Sequence, residues 1–419
     1  MLDRDNAMLA GPPRLVSIVS ALVLFLLIWT YTRLGRAPSP NFQSATSSKS
    51  WMRGDPLDFG VSLRFSEGVP KPTGENYTWA VVVPKTKKEE LGWLKRDVPD
   101  AKIVVYEVEN PNAEYRVPKN KGREAMVYLT YMIDHYYDLP DTIVFIHAHR
   151  HAWHNNDLVM QDMLAMLKRL NHDRVARLGY MNMRCHQAPG CPDWIHMDRP
   201  GGDLDFFSKP EEIYMRRNIW EEIHPGAPIP ASLSSVCCAQ FAVSGDRVRQ
   251  VPLERLVHYR KWLLNTGMND KYSGRVFEYI WHYIFTGHEV YCPAENTCYC
   301  DGYGICMGGR QKYEEYVEKQ HLRDNMFAEY DTLTTKDDRS KEGKPFMLTN
   351  SEKQRLENLT LSIPQVDRWL EQKRNEAFIR GEDPKARQEE TETWESGHIW
   401  DYAPPSLELD VKGNSRPNT

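Results

Sequence analysis

The chain has 419 residues, eight of them cysteine, with 41% hydrophobic and 26% charged residues and a formal net charge of −5. That composition suits a globular protein with a sizeable core. The mild charge, with lysines and arginines spread along the chain, argues against nucleic acid as a partner.

Taken in chain order, residues 1–14 form a short tail. Leu15 to Tyr31 then runs 17 residues without a charge, between Arg14 and the pair Arg33 and Arg36. This predicts a single-pass transmembrane anchor at the short end of the spanning range. A cleaved signal peptide would need a small-residue site where Trp29, Tyr31 and Arg33 stand. The flanking charges leave orientation nearly tied. Two glycosylation acceptors, Asn76-Tyr77-Thr78 and Asn358-Leu359-Thr360, and the even cysteine count place the bulk of the chain in an ER or Golgi lumen.

Residues 32–75, rich in Pro, Ser, Gly and Lys, read as a flexible stem. From there to residue 310 apolar runs alternate with helical periodicity. Trp79–Pro84, Lys102–Val108, Thr142–Ile146, Arg177–Asn182 and Cys238–Ser244 read as strands. Lys87–Arg96, Lys121–Tyr137, Asp157–Leu170, Glu211–Ile223 and Ser273–Phe285 read as helices. The alternation predicts one α/β domain over 76–310, with a mostly parallel sheet flanked by helices. Residues 311–419 are charged and weakly periodic, with helices expected at Gln311–Arg323 and Ile363–Arg380 and disorder after 381.

Several groups could carry chemistry. His147, His149, His151 and His154 follow the third strand, where open α/β sheets bind ligands. They could hold a divalent transition metal, hydrogen-bond neighbouring loops, or bind an anion. Asn120, Gly122 and Arg123 open the clearest helix, whose amino terminus could grip a nucleotide diphosphate or be an ordinary capped end. Glu278 and His282, four apart, would share a helix face, as acid–base groups or as a surface pair. Cys292, Cys298, Cys300 and Cys306 lack the paired spacing of a zinc site, and a lumenal setting favours disulfides.

The strings Asn120-x-Gly-Arg-Glu, Val144-Phe145-Ile146-His147, Trp153-His154-Asn155, Cys238-Ala239-Gln240-Phe241 and Glu278-Tyr279-x-Trp281-His282 resemble a mostly fungal family defined by a domain of unknown function. The resemblance covers about Tyr77 to Cys306. A more distant likeness is to GT-A type nucleotide-sugar glycosyltransferases. Those have a first strand like Trp79–Pro84 and a later strand like Ala239–Ser244. Where they carry an Asp-x-Asp metal motif, this chain has His147-Ala148-His149, which argues against Mg2+. The likeness implies a lumenal transferase using a nucleotide sugar and a glycan or protein acceptor. A metal-dependent hydrolase on the histidines and a non-catalytic binding protein of the secretory pathway are the alternatives.

Overall fold

Three consecutive valines, Val81 to Val83, set the centre of the domain, because a run apolar on both faces is stable only between two apolar layers. They lie in β1 (Trp79–Lys85), the second strand of a five-stranded sheet. The computed structural model describes residues 55–61, 63–197, 215, 217–341 and 348–391. Among them no helix is long and apolar enough to cross a membrane. The expected anchor, Leu15–Tyr31, lies outside the described residues, as do residues 211–214 and 216 of the helix expected from Glu211 and residues 392–419.

After β1 the chain passes through α1 (Gly92–Asp97) to β2 (Lys102–Glu107), and then through α2 (Glu124–Asp134) to β3 (Thr142–Phe145). Both β2 and β3 pair parallel to β1, one on each side. The two crossover helices cover opposite faces: α2 packs with Val82 and Phe145, while α1 packs with Val81 and Val83. The chain therefore changes direction between β1 and β3, which opens a crevice at their carboxyl ends.

A 3-10 turn (Asp157–Val159), α3 (Met163–Arg169) and α4 (His172–Leu178) lead to β4 (Tyr180–Asn182). The single helix expected over Asp157–Leu170 is thus broken. Met160 and Gln161 sit at φ +56, and Asp162 caps α3 by accepting the Leu164 N–H. The strand expected from Arg177 starts three residues later, because Gly179, at φ +77, ends α4.

A long excursion follows, with α5 (Arg217–Ile223) and β5 (Ser234–Ser235). It returns as β6 (Phe241–Ser244), which inserts between β3 and β4 and is antiparallel to both. The sheet order is β2-β1-β3-β6-β4. This corrects the expectation of a mostly parallel sheet: two of the four pairings are antiparallel. Alternating strands and helices suggest crossovers, but the excursion brings the chain back from the carboxyl end of β3. Phe241 consequently pairs with Phe145, and the residues before β6 lie at that end of the sheet.

The chain continues through α6 (Gly245–Gln250), α7 (Leu253–Asn265), α8 (Asp270–Glu278), α9 (Trp281–Thr286), β7 (Val290–Tyr291) and α10 (Glu295–Tyr303). Two 32-residue helices, α11 (Arg310–Lys341) and α12 (Asn350–Gly381), then pack together, before α13 (Pro384–Glu389). Tyr313, Tyr316, Leu370 and Ala377 join the core layer that holds Val81. Burying a side chain of the size of Leu370 contributes about 1.5–3 kcal/mol.

Residues 55–75, which composition assigned to the stem, carry specific contacts. Arg255 donates to Pro56 O at 2.9 Å and Asp58 O at 2.6 Å, with its guanidinium 4.5 Å from the Phe59 ring. Arg247 reaches Ser66 O at 3.0 Å, and Lys71 pairs with Asp141 at 2.7 Å.

All eight cysteines pair, as Cys185–Cys298, Cys191–Cys292, Cys237–Cys238 and Cys300–Cys306. The first two join residues 113 and 101 apart and tie the loop after β4 to the segment around α10. In the chain-entropy account, closing a loop of that size stabilises the fold by about 4–5 kcal/mol.

Candidate active site

The opening turn of α2 is built differently from the capped start expected at Asn120. Asn120 is exposed, and the helix begins at Glu124, with Arg123 in the N-cap position at φ +53 and no side-chain cap. Lys121 is buried and donates to Thr266 O. Gly122, at φ +71, lies where a Cβ would be 2.5 Å from Leu263. Gly122 therefore serves tight packing against α7, rather than approach to a phosphate, and Asn120 points no capping group at the helix. Of the three residues expected to hold a diphosphate, Arg123 alone is both exposed and beside the cluster described next.

Gly274 brings α8 against this turn. A Cβ there would be 3.0 Å from Gly122 O and 3.3 Å from Arg123 Cβ. One turn further on, Glu278 ends α8, and its Oε1 accepts the Cys238 N–H at 2.8 Å. Glu124 and Glu278 are thereby neighbours. Burial raises the pKa of both carboxyls, and the charge of Glu124 raises that of Glu278 further. The Cys238 N–H and the cations of Arg275 and Arg123 oppose the shift at Glu278. Behind Glu124, Tyr128 is fully buried with no hydrogen bond from its hydroxyl, and burial together with the Glu124 charge drives its pKa well up. Its ring meets Phe145, Phe241 and Trp281 at 4.5–6.0 Å, an aromatic floor under the carboxylates.

His282 is not part of this group. The helix expected over Ser273–Phe285 breaks at Tyr279–Ile280, where the Ile280 N–H bonds to Phe277 O and a new helix starts at Trp281. The break destroys the four-residue spacing that would align Glu278 with His282. His282 is buried, its Nε2 3.0 Å from Glu289 O.

The four histidines also divide. His147 and His154 meet edge to face at 5.0 Å, each with a buried Nε2 that has no hydrogen-bond partner. Burial pulls both imidazoles down to about 4, so they are neutral near pH 7. His149 is exposed, its Nε2 3.8 Å from Glu89 Oε1, and His151 is exposed and joins a bridge to Asp162. Among the described residues no group of three or more His, Cys, Asp and Glu could hold a metal ion. One imidazole pair, with His149 turned to Glu89 and His151 bridged to Asp162, does not make the donor set that a transition metal needs.

The loop carrying these histidines is fixed at several points. Gln240 Oε1 accepts the His147 N–H at 3.0 Å, and Gln240 Nε2 donates to Asn155 Oδ1 at 3.1 Å. Asn155 donates to Arg150 O and Gln161 O, Asn156 donates to Met183 O, and Arg150 forks onto Asp162 at 2.8–2.9 Å. Two crevices lie nearby. One of about 280 Å3 caps the carboxyl ends of β1 and β2, lined by Lys85, Lys87, Glu107, Glu109 and Asn110. One of about 410 Å3 runs beside β2, along Ile103, Val105 and Lys95. Neither includes the paired carboxylates.

Residues 81–301 match the family described as "Protein of unknown function (DUF3431)". The chain belongs to this family. No curated protein and no solved structure matches it. The DUF3431 segment holds Glu124, His147, Asn155, Gln240 and Glu278, so the five strings quoted from the sequence, scattered along the chain, meet at one end of the sheet. Sequence reading missed Glu124, Arg275, Gln240 and the Cys237–Cys238 bridge as parts of this centre. Glu124 and Gln240 stand inside those strings; nothing local marks them as neighbours of Glu278.

Proposed function

We propose that this protein is a lumenal, glycosyltransferase-like enzyme acting on a nucleotide-sugar donor, with Glu278 as the base for an acceptor hydroxyl. The observation that carries this reading is the Glu278 carboxylate, set beside Glu124 and held by the Cys238 N–H, three residues before β6 pairs with the carboxyl end of β3, the strand at which the order switches. Ligands of open α/β sheets collect at such a switch of strand order. A carboxylate whose pKa burial has raised is better matched to taking a proton near neutrality. Arg123 and Arg275, whose charges reach Glu278, would offset the charge developing on a leaving diphosphate.

The strand order supports the reading in one respect: β6 runs antiparallel between β3 and β4, so the residues just before it lie at the carboxyl end of β3. Four disulfides support an oxidising compartment. The anchor over residues 15–31 would tether the domain to an ER or Golgi membrane. The histidines would serve the loop's shape and the site's polarity rather than a metal.

The test is thermal unfolding of the full chain with UDP, GDP and their sugar conjugates. A ligand that binds only the native state at a hundred times its Kd stabilises by about 2.7 kcal/mol. A higher melting temperature with one nucleotide series, lost in Arg123→Ala, supports the transferase and names the donor class. No shift with any nucleotide would leave a non-catalytic binding protein as the better reading.

A further inference from the structure

Cys237–Cys238 differs from the other three disulfides in what it can do. A bond between neighbours closes almost no chain, so it removes little entropy from the unfolded state. Its effect is confined to the backbone it bridges. Access differs as well. Cys237 and Cys238 are both half-buried, whereas Cys185, Cys298, Cys292, Cys300 and Cys306 are each at most 4% exposed. Every other disulfide thus keeps at least one cysteine away from solvent, and thiol exchange requires access.

The bridged backbone is also where the carboxylate centre is held. Cys238 and Ala239 lie at φ +89 and +49, which residues with a side chain rarely adopt. Arg123, whose charge also reaches Glu278, is at φ +53. Such conformations persist where surrounding structure enforces them, and they gather at functional sites. Here the enforced turn aims the Cys238 N–H at Glu278 Oε1, 2.8 Å away, and sets Gln240 to take the His147 N–H at 3.0 Å.

We propose that the Cys237–Cys238 disulfide is a redox-sensitive positioning device for Glu278, holding the Cys238 N–H on the carboxylate when oxidised and releasing it when reduced. The proposal rests on the reading of Glu278 as the base. The reductant is a dithiol. Its first thiolate attacks one sulfur and breaks the Cys–Cys bond, giving a mixed disulfide. Its second thiol then displaces the protein sulfur. Two electrons and two protons pass to Cys237 and Cys238, which become thiols, and the dithiol leaves as a cyclic disulfide. With the bridge open, no covalent link enforces the left-handed pair. The Glu278 carboxylate then loses a hydrogen bond that favours its charged form.

The experiment titrates the full chain with a dithiol, alkylates the freed thiols, and maps them by mass spectrometry. In parallel it labels carboxyls with a carbodiimide, which reacts with the protonated form. Cys237 and Cys238 should become alkylated before any other cysteine. Labelling of Glu278 near neutral pH should then rise about tenfold, the weight of one hydrogen bond to a charged group. The double variant Cys237→Ala, Cys238→Ala should show the raised labelling without reductant. Another disulfide opening first, or Glu278 labelling unchanged once Cys237 and Cys238 are alkylated, would overturn the proposal. Nucleotide stabilisation measured on the same samples separates the two readings. Raised labelling with no nucleotide effect in either redox state supports the switch and sinks the transferase. Nucleotide stabilisation with constant labelling does the reverse.

Discussion

Replacing Glu278 with glutamine keeps its size and its acceptor for the Cys238 N–H, and removes its ability to take a proton. Loss of a general base costs a typical enzyme about 10²–10⁴ in rate, so Glu278→Gln should lose activity by that factor. Its melting temperature should hold or rise, since a half-buried carboxylate whose pKa burial raises is a charge the fold resists. A parallel fall in stability and activity would instead make Glu278 a packing residue. The pH profile carries a second signature. A base must be ionised to act, so activity should climb with pH, with a midpoint above the ordinary carboxylate range. At this scale the sequence was only partly readable. It pointed to Arg123 and Glu278, but not to the partner carboxylate Glu124, because that pairing depends on Gly274 letting α8 lie against Arg123.

Elements succeed or fail by what caps and breaks them. The helices around the site all differ from their periodic signal for tertiary reasons. The start of α2 moves to Glu124 because Lys121 and Gly122 are drawn into α7, and the α8–α9 break lets Trp281 pack on Phe277 and Phe241. The α11–α12 hairpin shows the opposite. Its charged, weakly periodic sequence understates two 32-residue helices, because Leu333, Leu348, Leu359 and Ile363 bury one another at its far end. Its other end is docked by glycine: a Cβ on Gly381 would be 1.9 Å from Gly304 O, a backbone atom that cannot swing aside. Gly381→Ala should therefore destabilise by about 1–3 kcal/mol. Amide exchange should rise at the end of α12 and in α13, while β1 and β3 stay protected. Uniform loss of protection across the sheet would show that the hairpin end is not a separate unit.

The whole molecule should weaken in acid. Burial depresses His147, His154, His172 and His282 to about 4, and His224 further. Each binds its proton more weakly in the folded state, so the unfolded chain takes up more protons between the ordinary value of 6.5 and about 4. Their contribution is full above 6.5 and is lost as pH falls through that window. Glu124, Glu278 and Glu289, with raised pKa values, work the other way: their stabilisation is present at low pH and fades as pH rises through their folded values. Six histidines, since burial also depresses His186, against three carboxyls leave a net fall in melting temperature from pH 7 to pH 4. A melting temperature that rises over that range would show that the carboxyls dominate.

By itself the sequence determined the five strands of the main sheet to within a few residues and the general α/β architecture, because continuous runs such as Val81–Val83 and Ile143–Ile146 are buried whichever way the sheet is wound, while the short β5 and β7 gave no such signal. The even cysteine count made disulfides the expectation for a lumenal setting, and the structure pairs all eight. The tertiary structure decided which cysteines meet, that β6 runs against its neighbours, and which charged groups share the crevice. Most of those outcomes rest on contacts between residues distant in the chain, such as Cys185 with Cys298, 113 positions apart, and Glu124 with Glu278. Local propensity and periodicity carry no information about such distances; the direction in which a long excursion returns to the sheet does.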